Sequence, residues 1–130
     1  MSSLIAHIKL TRPANIVTAI ADILAGAAIS GAVYTLIQGV DATILNSIAW
    51  LVLSTIGLYG GGVAFNDVFD AELDRVERPE RPIPSGQASV KSAGIMATVL
   101  LFIGVLAAWQ VSGFSALIAL VVAILAVLYD

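Results

Sequence analysis

Long uncharged stretches decide what this chain can fold into. From Ile44 to Phe65 no side chain carries a charge. A bilayer is crossed by about 20 consecutive apolar residues, and this stretch is long enough. Comparable stretches run over 13–34, where Asp22 is the exception, over 90–109 past Lys91, and over 114–130 up to Asp130. In lipid each backbone polar group must find its partner within its own segment or in a closed barrel. The expected fold is therefore all-α, a polytopic transmembrane helix bundle with about four transmembrane helices. Hydrophobic residues make up 59% of the chain and charged residues 12%, about half the usual charged share, which argues against a soluble core. There are no cysteines, so disulfides, thiol catalysis and zinc–thiolate sites are excluded.

Charge is gathered in one passage, Asn66 to Gly86, directly after the uncharged run ending at Phe65. It holds nine of the fifteen Asp, Glu, Lys and Arg residues, so the net charge of −3 describes this passage more than the molecule. On a helix, Asn66, Asp70 and Asp74 fall at i, i+4 and i+8, and Asp67 lies three residues before Asp70. At roughly 100° per residue the four side chains share one face, within an arc of about 100°. Like charges at these separations repel. Hard oxygen ligands on one face suit Mg²⁺, which is held by one or two carboxylates together with substrate phosphates. The plain alternative is a solvated acidic loop neutralised by Arg75, Arg78 and Arg81. The alignment of an Asn with the acids at helical spacing, at the mouth of a membrane helix, favours the metal reading.

The rest of the chain is read around this block. Residues 2–11 form a short amphipathic segment with Leu4, Ile5 and Ile8 on one side, expected at the membrane interface; His7 on it is read as a surface residue without a role. In the first span, Pro13 fits an opening helical turn, where its missing N–H costs nothing. Arg12, Asn15, Ala19, Asp22, Gly26 and Ser30 share a face. Asp22 is expected to face the bundle interior, because an ionisable group in a span is costly toward lipid. In the second span, Gly57 and Gly61 form a GxxxG pair suited to close helix packing. Gly60 to Gly62 leave that end of the span nearly bare. After Asp74 the helix is expected to end near Glu77 or Arg78, since Pro79 disfavours helical geometry before it. The proline-rich remainder of the 66–89 loop closes with a Ser85-Gly86 turn.

All six basic residues lie before the first span or between the second and third. By the positive-inside rule both regions face the cytoplasm. The expected location is the cell inner membrane, multi-pass, with the acidic loop on the cytoplasmic side. The start MSSLIAHIKLTRP has no apolar core followed by a small-residue cleavage site, so no cleavable signal peptide is expected. The fourth span reaches the last residue after about 17 positions, short of the ~20 of a full crossing, so the chain is expected to stop inside or at the end of a membrane helix.

The pattern Asn66-Asp67-x-x-Asp70-x-x-x-Asp74 resembles the first Asp-rich motif of the UbiA superfamily of intramembrane prenyltransferases. The continuation RPERPIPSG, from Arg78 to Gly86, is similar to the family's segment just after that motif. With Gly60 to Gly62 before it, the block looks most like the EboC branch. The resemblance implies a nine-helix fold with two Asp-rich motifs, of which this chain carries the first and so corresponds to the first half. It implies transfer of a prenyl group from a prenyl diphosphate to an aromatic or other small acceptor, in the lipid bilayer and with no nucleic acid. The cofactor is Mg²⁺, held by Asn66, Asp67, Asp70 and Asp74, with Asp70 and Asp74 as the catalytic pair. Arg12 and Asn15 match the family's first-helix start and, with Arg78 and Arg81, are implied substrate contacts. CDP-alcohol phosphotransferases fit less well, because Ala71 stands where their motif needs a Gly. The reading from another class is a non-catalytic membrane component that binds or transports a small metabolite.

Overall fold

The computed structural model describes residues 2–39 and 42–128. Among the described residues seven helices succeed one another: α1 (Ser2–Leu10), α2 (Pro13–Ile29), α3 (Ala32–Gln38), α4 (Ala42–Phe69), α5 (Ala71–Glu77), α6 (Val90–Trp109) and α7 (Gly113–Leu128). The all-helical membrane architecture expected from the sequence is the one observed, with no strand among the described residues. Helices α4 and α6 are each long and apolar enough to cross a membrane. The pair from Ser3 to Leu10 and Pro13 to Ile29, bent by 41°, counts as a third if taken as one span. Helix α7 is a shorter apolar helix, and the end of the expected fourth span, Tyr129 and Asp130, lies outside the described residues.

The packing is that of a protein built for lipid. The buried apolar set is dominated by alanines, among them Ala64, Ala93, Ala97, Ala107, Ala108, Ala119 and Ala123. Large side chains such as Ile95, Val99, Phe102 and Leu106 on α6, and Leu117, Val121 and Leu125 on α7, point outward. In water this would be inside out. In a bilayer, lipid tails are as apolar as leucine, so helices gain by close contact through small residues and not by hiding large ones.

Helix α4 is the centre, touching α1, α2, α5, α6 and α7. Its seam with α6 is the tightest. A Cβ built on Gly57 would stand 2.5 Å from the Leu100 carbonyl oxygen and 2.8 Å from the Gly104 nitrogen; one on Gly61 would stand 2.9 Å from the Ala97 oxygen. Only glycine lets the two backbones approach this closely, so the GxxxG pair has the packing role expected of it. The Ser54 hydroxyl on the same face donates to the Gly104 carbonyl at 2.7 Å, an interhelical hydrogen bond of the kind that holds membrane helices. The run Gly60 to Gly62 serves three neighbours in turn. Gly60 faces Thr11, Gly61 faces α6, and Gly62 faces Ala126 of α7.

Three expectations are corrected. The first span does not run unbroken to Tyr34: α2 ends at Ile29, Gly31 takes φ 88°, and α3 begins at Ala32. A positive φ is cheap only for glycine, which is why the break falls there. Asp22 is not packed into the bundle interior; it is exposed and borders a groove of about 450 Å³ lined also by Ser30, Thr43 and Ser47. His7 is not an idle surface residue. It lies 2.6 Å from the Ser3 carbonyl through Nδ1 and 2.8 Å from Ser92 Oγ through Nε2. Ser92 belongs to the first turn of α6, where Ser89 Oγ caps by accepting from the Ser92 N–H at 3.0 Å. His7 therefore ties α1 to the start of α6.

Candidate functional site

The acidic block lies where α4 gives way to α5. Helix α4 ends at Phe69, Asp70 sits between the helices at φ −87°, ψ 4°, and α5 runs from Ala71 to Glu77. The i→i−4 backbone bonds continue through this joint, from the Asp70 N–H to Asn66 O at 2.9 Å and from the Asp74 N–H to Asp70 O at 2.8 Å. Asn66, Asp70 and Asp74 therefore stay one turn apart although the helix is interrupted. Helix α5 stops at Glu77, two residues before Pro79, as the restriction on pre-proline residues requires.

The loop after α5 is folded back onto the bundle. The Ala88 N–H bonds to Pro82 O at 3.0 Å and the Ser85 N–H to Arg81 O at 3.0 Å, and Gly86 turns the chain at φ 83°. Ile83 and Ala88 are buried in one cluster with Ala6 and Leu10 of α1, Ala64, Ala71, and Ala93 and Ala97 of α6. That cluster anchors the loop and sets the position of Arg81.

Two arginines meet two buried carboxylates here. Arg12 Nη2 donates to Asp67 Oδ1 at 2.9 Å. Arg81 Nη1 lies 3.3 Å from the same Oδ1 and 3.1 Å from Asp74 Oδ2. Asp67 and Asp74 are 6% and 4% exposed, burial that carboxylates tolerate when paired and hydrogen-bonded. Arg12 reaches the site from the elbow between α1 and α2. Pro13 disfavours right-handed helix at Arg12, and Arg12 adopts φ 51°, ψ 68°, the only positive φ outside glycine among the described residues. Backbone in that region costs a non-glycine residue on the order of 1 kcal/mol or more and persists where its surroundings hold it. Gly60 leaves room for Thr11 beside it.

The other expected site residues are less enclosed. Asp70 is half-buried, and its carboxylate forms no ion pair among the described residues. Asn66 lines a groove of about 520 Å³ between α4 and α7, together with Leu58, Tyr59, Gly62, Val63 and Val122. Arg78 is exposed on the loop, and Asn15 is exposed on α2, one turn beyond the elbow. Arg75 pairs at the surface with Glu72 at 3.4 Å. Sequence reasoning did not foresee that Arg12 and Arg81 share Asp67; the proline after Arg12 was the available signal for the elbow. Among the described residues no three acidic or histidine side chains converge into a metal cage. The donor chemistry fits the other mode of Mg²⁺ binding, one or two carboxylates completed by a ligand's phosphate oxygens; Asn66, Asp70 and Asp74 are hard-oxygen donors on successive turns.

A bundle of apolar helices with carboxylates and guanidiniums gathered at the end of its central helix, and with an apolar groove that Asn66 lines, defines an integral membrane protein with a polar site at one end of its bundle. Residues 23–130 match the model of the UbiA prenyltransferase family, and the chain belongs to that family. It is similar to digeranylgeranylglyceryl phosphate synthase of Methanothrix thermoacetophila, 43% identical over 101 residues, which cover 78% of this chain and 35% of the relative. The synthase of the same name from Saccharolobus solfataricus is 32% identical over 123 residues, 94% of this chain and 40% of the relative. A solved structure described as concerning digeranylgeranylglyceryl phosphate synthase in membranes superposes with a TM-score of 0.85 at 27% identity, over 99% of this chain and 43% of that one. The chain thus spans well under half the length of these relatives.

Proposed function

We propose that the protein is an intramembrane prenyltransferase that moves a prenyl group from a prenyl diphosphate to a small acceptor, with Mg²⁺ as cofactor. The observation that carries this reading is the Asp67–Arg12–Arg81–Asp74 group at the end of α4, next along the chain to Asn66, which lines an apolar groove. A prenyl diphosphate has the same two halves, a polyanionic head and an apolar tail. The names of the relatives favour a glyceryl phosphate acceptor bearing an isoprenoid chain over an aromatic one.

In this mechanism Asp70, Asp74 and Asn66 hold the cation, and Arg78 and Arg81 contact the diphosphate from the loop. Arg12, paired with Asp67 from the α1–α2 elbow, and Asn15, exposed one turn further along α2, are the remaining substrate contacts in this reading. Mg²⁺, when bound, supplies Lewis-acid stabilisation of the leaving oxygens. The allylic C–O bond breaks, the diphosphate departs with the electron pair, and the acceptor hydroxyl forms the new C–O bond and releases its proton. The groove walls, Leu58, Tyr59, Val63 and Val122, offer the prenyl tail an apolar surface.

The test is prenyl transfer in membranes carrying the protein, with geranylgeranyl diphosphate and a geranylgeranylated glyceryl phosphate, with and without Mg²⁺. Product that appears only with Mg²⁺ is expected. Specific binding of a small metabolite without turnover under any condition favours instead the EboC-like role of a non-catalytic membrane component. Arg81→Lys is expected to lower transfer less than Arg81→Ala, yet measurably, because a guanidinium forks onto phosphate and an ammonium does not; equal rates for Arg81→Lys and the wild type remove Arg81 from the diphosphate site.

The loop is placed on the cytoplasmic side of the inner membrane, on the distribution of basic residues. A membrane-impermeant thiol reagent is expected to label Gln38→Cys in intact cells and to reach Ser85→Cys only after permeabilisation. Labelling in the opposite sense reverses the topology.

A further inference from the structure

The four hard-oxygen residues of the acidic block do not have equal surroundings. Asp67 alone has one carboxylate oxygen shared by two guanidiniums, Arg12 at 2.9 Å and Arg81 at 3.3 Å. Those arginines come from opposite sides of the site, the α1–α2 elbow and the proline-rich loop. The Asp67 side chain is nearly sealed, at 8% exposure, against 35% for Arg12 and 29% for Arg81. Removing one partner of a buried ion pair leaves an uncompensated charge, so this arrangement is self-supporting only while all three residues are present. Arg12 also holds the one strained non-glycine backbone among the described residues. Asp70, one turn further along, has no guanidinium on it among the described residues.

We propose that Asp67 is a positioning residue whose carboxylate fixes Arg12 and Arg81 together at the end of α4, and that it is not a ligand of the cation. This rests on the transferase reading for the cation and on the ion-pair geometry for the holding role. The division of labour comes from charge. A carboxylate already neutralised by two guanidiniums offers a divalent cation little, and a cation at Asp67 would face both arginines at close range. Asp67 instead lines up two phosphate-binding forks from two different segments.

The experiment uses the protein in lipid nanodiscs, with Mn²⁺ and inorganic pyrophosphate as probes. In one arm, electron paramagnetic resonance tracks Mn²⁺ taken up with pyrophosphate. Asp67→Asn is expected to keep the wild-type Mn²⁺ spectrum while its pyrophosphate affinity falls by about tenfold; Asp70→Asn is expected to lose the bound-Mn²⁺ signal. Loss of that signal in Asp67→Asn to the same degree as in Asp70→Asn makes Asp67 a ligand and overturns the proposal. In the second arm, Tm is measured without metal for Asp67→Asn, Arg12→Gln and the double variant. Because both single changes break one contact, the double variant is expected to lose less than the two losses added together; strict additivity shows that Asp67 does not hold Arg12 and overturns the proposal. A wild-type protein that takes up no Mn²⁺ with pyrophosphate defeats the transferase reading, and the Tm arm then decides the holding role by itself.

Discussion

Asp70→Ala is expected to slow Mg²⁺-dependent prenyl transfer by roughly 10²–10³-fold, the effect of losing ~3–4 kcal/mol of leaving-group stabilisation. The magnitude reflects where the residue sits. Asp67 and Asp74 are engaged by arginines, whereas the Asp70 carboxylate carries no ion pair among the described residues. It is thus the aspartate of the three with its charge least compensated by protein, and the one best placed to serve a cation. Mg²⁺ demands near-octahedral coordination, and the remaining carboxylates do not restore a missing ligand. The fold is not at stake in this substitution: Asp70 is only half-buried and makes no side-chain cap to α5. Turnover and Mg²⁺-dependent substrate binding in the Asp70→Ala protein, with helicity as the control, give the answer. Unchanged turnover and binding in both Asp70→Ala and Asp74→Ala defeat the metal reading.

Asp74→Ala is a different experiment although the two residues look alike in the sequence. Asp74 is 4% exposed and bridged to Asp67 through Arg81. Its removal takes away one of the two carboxylates that hold Arg81, leaving only Asp67, as well as deleting an acid, so a loss of activity there mixes a ligand with a loop anchor. The difference comes from tertiary placement. Helical spacing predicts that Asn66, Asp67, Asp70 and Asp74 share a face, and it does not say which of them an arginine from elsewhere will claim.

That distinction marks how far the sequence could be read. The membrane helices were legible because lipid imposes length and apolarity on them, and the end of α5 at Glu77 was legible because Pro79 constrains the residues before it. The α4–α6 seam was legible in part: GxxxG announces close packing, but it does not name the partner, which is the stretch from Ala97 to Gly104 of α6. The Arg12–Asp67 pair joins residues 55 positions apart, and no local rule connects them. His7 was misread for the same reason, since its partner Ser92 lies 85 residues away. The break at Ser30 and Gly31 was missed because the hydropathy of the first span continues across it while the backbone does not.

Gly57→Ala is expected to destabilise the bundle by about 1–3 kcal/mol, the usual cost of overpacking a filled interior. The added methyl would meet the Leu100 carbonyl oxygen at 2.5 Å and the Gly104 nitrogen at 2.8 Å. Both are backbone atoms, so no rotamer change relieves the clash and α6 itself must move away from α4. That displacement also disturbs the Ser54 to Gly104 hydrogen bond. Gly104→Ala approaches the same seam from the other side, but there the nearest contact is the Leu58 side chain, with Cγ at 2.8 Å, and the nearest backbone atom, the Leu58 nitrogen, lies further off at 3.0 Å than the 2.5 Å met at Gly57. A side chain gives way more readily than a backbone, so a smaller loss is expected. Gly94→Ala is the internal control. It lies on the same helix α6, nothing stands within 4 Å of its added Cβ, and alanine is favoured over glycine in a helix by up to about 1 kcal/mol. The three variants are compared by denaturant titration in mixed micelles, with helicity as the signal. Stability should rank Gly94→Ala at or above the wild type, then Gly104→Ala, then Gly57→Ala. Were Gly57→Ala to match Gly94→Ala, the close approach of α4 and α6 would not be what holds them together. The polar site rests on that approach, because Ala93 and Ala97 of α6 close the same cluster as Ala64, Ala71 and Ile83. Opening the seam shifts α6 against that cluster and, through Ile83, the loop that carries Arg81.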